Sequence, residues 1–480
     1  MSERIKYLLK NTGILTVSSF ATKILSIFLV PLYTGILSTA EYGIYDLVGT
    51  SISIIFPVLT LNIVDAVMRF AMDRRCSNDS LSRIGIRYVL RSDMIVFGVL
   101  VAIYFLNLVP EIRDYLFFFF LCYFLSSVNT FLSQFARGCE QVKVIGIAGV
   151  VSTLCTIGFN LLFLLGFRLG LTGFFLASIF SELVVCVYYI LSTKLIGHLR
   201  RGTFDRELEK EMLRYCIPLI ATTIGWWVNS ASDKYIVALF CGVSANGILS
   251  ISYKIPNIMN MLQNIFIQAW QISAIREYGS EETPAFYGRI FVTVNVIMCA
   301  ACSWLILLSV PIARLLFAKD FFEAWQYVPF LAISSMINCA SGMLGPILSA
   351  KKASKPMAMS AVYGASANIV LNILLVWLMG IQGATVATVL SSFIIYQVRR
   401  NAVRNDIQIA HYPKVLITWA GLCLQALIGI YTPYRWMEII VMAGLLILNL
   451  DEVRYILKTG IRMKKRDETE TDSVERGDSK

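Results

Sequence analysis

The sequence predicts an all-α polytopic membrane protein of about 14 transmembrane helices, built as two parallel six-helix repeats plus two extra C-terminal helices, with both termini cytoplasmic. Three observations predict this. Apolar runs long enough to cross a bilayer recur along the chain, Lys and Arg concentrate in alternate connections, and stretches of the first half return in order in the second.

Composition supports the first. Of 480 residues, 57% are hydrophobic and 15% are charged, and mean hydropathy is +0.68. A soluble domain carries about 25% charged residues, whereas a spanning helix needs about 20 predominantly apolar ones. The net charge of +11 sits in short connections between apolar runs, where basic residues set membrane topology, so no nucleic-acid partner is expected. The eleven cysteines are scattered, odd in number and without a pairing framework. Cys299 and Cys302 have a redox-motif spacing but lie in the apolar run VIMCAACSWLILL with no nearby His, which fits small packing residues. With only His198 and His411 in the chain, a histidine-rich metal centre is not expected; no cofactor is expected either.

In order, the N-terminal MSERIKYLLK leads into an apolar run without a cleavage-site pattern, so the first helix is expected to stay uncleaved. The first six spans are expected near 12–36, 43–68, 84–109, 114–136, 143–167 and 171–192. Six more are expected near 215–239, 247–271, 286–310, 325–350, 356–379 and 381–398, and two near 414–432 and 435–456. The implied division is an N-terminal lobe (1–193), a cytoplasmic amphipathic connector (194–214), a C-terminal lobe (215–405), two additional spans (406–458) and a polar tail (459–480). In the connector, Phe204, Leu208 and Met212 have helical spacing, as expected of a segment lying along the membrane surface. With the N-terminus inside, 34 of the 42 Lys and Arg fall on the cytoplasmic side and five on the other. That bias sets the orientation.

The repeat is visible by eye. LVPLYTGILSTAEYGIYDLVG lies over IVALFCGVSANGILSISYK, with Gly43-Ile44 on Gly247-Ile248. Lys143 and Asn160 lie over Lys355 and Asn372, and the start GLTGFFLAS at Gly170 lies over GIQGATVAT at Gly380. Six spans is an even number, so the halves are parallel, and substrate sites in such transporters lie near the midplane between repeats.

Polar residues cluster in the first two helices of each half. Span one carries Lys23; span two carries Asp46, with Asp65 and Arg69 toward its inner end. Span seven carries Trp226, Trp227, Asn229, Asp233 and Lys234, and span eight carries Lys254 before Pro256. An ionisable group at the centre of a membrane helix costs about 2.5–3.5 kcal/mol even on the lenient insertion scale, so it normally faces a partner or a watery cavity. A buried ammonium attracts phosphate or another acid; the bland alternative is a Lys paired with a nearby Asp, Lys234 with Asp233 or Lys254 with Asp46. Asp65 and Arg69, four apart, have the spacing of an intrahelical pair. Trp226 and Trp227 can stack on a sugar ring or serve packing and interfacial roles. Glu182 and Asp93 are single carboxylates with no partner legible in the sequence. Pro31, Pro57 and Pro256 weaken local helix bonding, which suits either hinges or static kinks.

The motifs AEYGIYDL (Ala40–Leu47), VMRF (Val67–Phe70), DKYIVALF (Asp233–Phe240), SISYKIP (Ser250–Pro256) and the GLTG and GIQG helix starts together resemble the polysaccharide transporters. That family includes O-antigen and capsule flippases, within the multidrug/oligosaccharidyl-lipid/polysaccharide exporter superfamily. The resemblance implies a flippase, not an enzyme, working by alternating access around a cavity lined by spans one, two, seven and eight. Its implied substrate is an undecaprenyl-pyrophosphate-linked oligosaccharide carried from the inner to the outer leaflet of a bacterial plasma membrane. The family's cationic cavity would fall on Lys23, Lys234 and Lys254, with Arg69 at the inner mouth. Membrane lipid, a polysaccharide polymerase and chain-length machinery are the implied partners. A cation-coupled drug antiporter of the same superfamily would need acidic residues to dominate the cavity. A membrane glycan polymerase would need a sizeable outward loop with catalytic residues, and the outward connections here are short.

Overall fold

A computed structural model of the chain describes residues 27–73, 76–107, 110–279, 281–351, 353–455 and 458. Helices make up nearly all of the described residues, and no strand occurs among them. Ten of the helices are long and apolar enough to cross a bilayer, which makes this a multi-pass membrane protein. These ten coincide with expected spans two to six and nine to thirteen. Most of span one, including Lys23, lies outside the described residues.

The chain forms two compact units, the first made of Met1–Ile251 with Leu315–Glu323 and the second of Ser252–Arg314 with Ala324–Lys480. The first unit contains α1 (Val30–Ile36), α2 (Thr39–Leu59), α3 (Ile63–Ala71), α4 (Asn78–Leu106), α5 (Leu116–Gly138), α6 (Val142–Asn160), α7 (Gly170–Ser192), α8 (Leu195–Arg201) and α9 (Arg206–Cys241). It ends within α10 (Val243–Ser252). Span two is a broken helix. Its start is fixed by a capping box, in which the Ser38 hydroxyl accepts from the Glu41 N–H and the Glu41 carboxylate accepts from the Ser38 N–H. After Pro57 the helix stops, Leu61 and Asn62 take left-handed backbone angles (φ 53° and 57°), and α3 resumes the span. Such a break is tolerated in a membrane only where protein or water satisfies the freed groups; here the Leu61 and Asn62 N–H groups donate to the Val58 and Pro57 carbonyls at 3.2 and 2.8 Å, and the Asn62 side-chain amide donates to Thr223 on α9 at 3.2 Å.

α9 runs for 36 residues, so residues 206–214 of the expected connector form its first turns. The Asp205 carboxylate caps it, accepting from the N–H groups of Glu207 and Leu208. It ends at Gly242, whose φ of +89° is disfavoured for side-chain-bearing residues. The core of this unit packs Ile63, Val67, Ile84, Phe131, Phe135 and Met212.

The second unit contains α11 (Pro256–Arg276), α12 (Thr283–Leu307), α13 (Ser309–Leu316, its end excepted), α14 (Val328–Ala350), α15 (Ser354–Met379), α16 (Ile381–Ala402), α17 (Tyr412–Tyr431) and α18 (Arg435–Leu448). Span eight is broken too, at Tyr253–Ile255 between α10 and α11, where Pro256 opens the new helix. α14 is the unit's axis, buried along almost its whole length, and Trp270 donates to its Met343 carbonyl at 2.9 Å.

Inside each unit the repeat extends to individual contacts. Asn160 donates to the Thr156 carbonyl and Asn372 to the Asn368 carbonyl, and both side chains are buried. Gly170 and Gly380 both have positive φ. A Cβ on Gly173 would lie 3.0 Å from the Phe163 carbonyl oxygen, and one on Gly383 would lie 1.9 Å from that of Leu375. Gly383→Ala is therefore expected to lower the melting temperature of detergent-purified protein by several degrees, and Gly173→Ala by clearly less, because the former Cβ collides with backbone at 1.9 Å while the latter needs a shift of only a few tenths of an ångström.

Candidate functional site

α2 and α10 cross through repeat-equivalent glycines. A Cβ on Gly43 would lie 2.2 Å from the Val243 carbonyl oxygen, and one on Gly247 would lie 2.0 Å from that of Thr39. Only glycine permits so close a backbone approach, and small residues are the usual means of achieving one between helices in lipid. Thr39 and Val243, and Gly43 and Gly247, are offset by the same 204 residues that separate Asp46 from Ser250, whose hydroxyl donates to Asp46 Oδ2 at 2.7 Å. The two helices thus meet about a local two-fold axis. Asn246 Nδ2 donates to the Gly43 carbonyl at 3.2 Å and reinforces the crossing.

One turn beyond this crossing, Lys234 Nζ on α9 donates to Asp46 Oδ1 at 2.9 Å, and the two side chains are 18% and 17% exposed. Asp46 therefore receives Lys234 on one oxygen and Ser250 on the other. Lys234 does not pair with Asp233, whose carboxylate is buried and accepts the Lys234 backbone N–H at 2.9 Å. Consecutive helix residues point about 100° apart, so adjacency in sequence was a poor guide to pairing. Lys254 sits, half-buried, at the break before α11, in the second unit.

Around the pair, Trp227 Nε1 donates to the Thr50 carbonyl and the Ser53 hydroxyl, both at 3.1 Å, and its ring lies 5.5 Å from that of Tyr235. The Tyr235 hydroxyl bonds Ser51 at 2.6 Å. Asn229 has a buried carbonyl oxygen with no partner. Trp226 is 60% exposed, and Arg69 is exposed in the last turn of α3. Asp65 accepts from Gln134 at 2.9 Å rather than pairing with Arg69. The two single carboxylates also have partners that their own segments do not reveal, Ser127 for Asp93 and Asn129 for Glu182.

Thus Asp46, Lys234, Asp233 and Trp227 come together on α2 and α9, and Asn229 lies on the same helix. The residues that sequence reasoning missed are Ser250 and Asn246. The signal was available: each falls on the repeat register of α2, opposite Asp46 and Tyr42. Chemically, the arrangement is a partly buried ammonium held by one carboxylate, beside hydroxyl, amide and indole groups suited to a polar, anionic ligand.

The model of the family described as polysaccharide biosynthesis protein matches residues 8–271. No curated protein sequence matches the chain. Among solved structures, the chain is similar to the lipid II flippase MurJ in an inward closed conformation, with a TM-score of 0.66, 14% identity, and coverage of 93% of this chain and 99% of that one. It is also similar to a multidrug resistance MATE family transporter of the MOP superfamily in an inward-facing conformation, with a TM-score of 0.64, 14% identity, and coverage of 81% and 94%. At such identities the likeness speaks for the fold.

Proposed function

Since this chain belongs to the polysaccharide biosynthesis protein family and has the fold of MOP-superfamily transporters, we propose that it is a flippase for anionic lipid-linked oligosaccharides. In this reading it carries undecaprenyl-pyrophosphate-linked glycan units from the inner to the outer leaflet of a bacterial plasma membrane, for O-antigen, capsule or exopolysaccharide synthesis. The observation that carries it is the Lys234 ammonium, largely buried and paired with the Asp46 carboxylate.

Physical chemistry suggests how such a group works. A charge taken out of water must keep a partner in every state, or cost several kcal/mol. Asp46 is that partner when no substrate is bound. The diphosphate of an incoming lipid-linked sugar replaces it, because phosphate offers more oxygens and more charge than one carboxylate. Losing Lys234 loosens the contact of α2 with α9, leaving the Trp227 and Tyr235 bonds between them, while Ser250 and Asn246 still hold α2 to α10. The sugar lies against Trp227 and the neighbouring hydroxyls, Lys23 and Arg69 add positive charge, and the polyprenyl tail stays in lipid. Polymerase and chain-length machinery would take up the exported units.

A drug antiporter shares this fold, and the two readings separate on what accumulates. Deleting the gene in its host is expected to trap lipid-linked oligosaccharide in the inner leaflet, measured by extraction and leaflet-selective labelling. Drug sensitivity without such accumulation would favour the antiporter.

A further inference from the structure

We propose that the second unit holds an anion site of its own, formed by the Arg399 guanidinium and the Ser341 hydroxyl, for a phosphate-type oxyanion. Arg399, in the last turn of α16, is only 8% exposed, and none of the ion pairs among the described residues includes it. Its Nε donates to the Ser360 hydroxyl at 3.0 Å and its Nη1 to the Ser341 carbonyl at 3.1 Å. Both acceptors are neutral. These bonds engage two N–H groups and leave the rest of the fork, Nη2 included, open.

A basic residue at the end of a membrane helix ordinarily extends its charge into water. Arg399 instead turns inward between α14 and α15, where an uncompensated charge is costly. The same pocket holds a second unmet group, the Ser341 hydroxyl, which is buried without a partner. One turn along α14, Gly345 brings only backbone to this face, and a Cβ there would touch the flexible end of Met357 at 3.5 Å and Arg399 Nη1 at 3.9 Å. The Ser360 hydroxyl accepts from Nε while donating to the Met357 carbonyl at 2.7 Å, so the guanidinium plane is fixed before any ligand arrives. A planar, pre-oriented fork beside a free hydroxyl is the donor set that phosphate oxygens take. Arg399 lies at the end of α16 that the basic-residue bias assigns to the cytoplasm, and Lys355, in the first turn of α15, is exposed. Free phosphate or pyrophosphate and the phosphate of an anionic lipid share this chemistry. The inference is independent of the flippase reading, because Arg399 and Ser341 lie in the second unit and Lys234 in the first.

The test uses full-length Lys234→Gln protein in phosphatidylcholine nanodiscs, so that Lys234 does not contribute. One arm titrates inorganic pyrophosphate; the other replaces part of the lipid with phosphatidic acid and adds no free phosphate. Thermal stabilisation is expected in at least one arm, and the responding arm identifies the source. Arg399→Gln is expected to weaken the response at least about tenfold, as loss of a charge-assisted pair would. Ser341→Ala leaves both Arg399 bonds in place and is expected to weaken it about fivefold, the worth of one hydrogen bond. If Arg399→Gln does not fold, Ser341→Ala carries the test. No stabilisation in either arm, a response that survives Arg399→Gln, or one unchanged by Ser341→Ala overturns the site.

Discussion

Gly247→Val is expected to abolish accumulation of folded protein, and Gly247→Ala to leave a protein that melts well below the parent and transports poorly. The new Cβ would lie 2.0 Å from the Thr39 carbonyl oxygen and 3.1 Å from the Gly43 nitrogen. Both obstacles are backbone, so no rotamer change relieves the clash, and α2 and α10 must move apart. Overpacking costs about 1–3 kcal/mol where side chains can yield; a backbone collision belongs at or above the top of that range. Separating the helices would also stretch the Ser250 and Asn246 bonds to Asp46 and Gly43. Gly43→Ala, which meets the Val243 carbonyl at 2.2 Å, is expected to behave likewise. Gly49→Ala, on the same helix with nothing within 4 Å of its Cβ, is the control. It is expected to be neutral or slightly stabilising, because alanine has the better helix propensity.

The second large effect concerns Lys234 and Asp46. Removing one partner of a buried pair costs about 3–5 kcal/mol, and the residual exposure of these side chains, 18% and 17%, places the cost toward the lower end. Lys234→Gln and Asp46→Asn are each expected to lower stability, whereas the double variant, with no charge left unpaired, is expected to recover most of the loss. Transport separates structure from function. The double variant should be stable but inactive if Lys234 receives the substrate, and active if the pair serves only to hold the helices together. Thermal melts alongside complementation of glycan export check both.

Much of the fold was legible because bilayer-spanning apolar runs are long and punctuated. The expected spans near 143–167 and 171–192 lie close to α6, with its short π-helical end, and to α7. Spans seven and eight are the less regular ones. α9 carries polar residues through its middle and extends back to Arg206, and span eight breaks at Tyr253–Ile255. These are the helices where local apolarity gives way to polar contacts, so hydropathy is least informative there. The repeat was readable in Gly43 and Gly247, but sequence equivalence says nothing about which equivalent residues touch. That Asp46 meets Ser250 on a two-fold axis needed the three-dimensional crossing. The partner of Lys234, 188 residues away, was likewise hidden behind its neighbour Asp233. Arg399 was counted among the basic residues of a connection because span twelve was expected to end at 398. The helix continues to Ala402, and those few residues carry the guanidinium into the packed interior.

The central claim is that Lys234 exchanges Asp46 for the phosphate of a lipid-linked sugar during transport. The most direct measurement is translocation of a fluorescent short-chain polyprenyl-diphosphate sugar in proteoliposomes, read by quenching of the label remaining in the outer leaflet. The wild-type protein is expected to speed translocation well above empty vesicles, Lys234→Gln and the stable double variant to reduce it to background, and a neutral lipid-linked sugar without phosphate not to be carried. Carriage of the neutral sugar at the same rate, or full activity in the double variant, would contradict it.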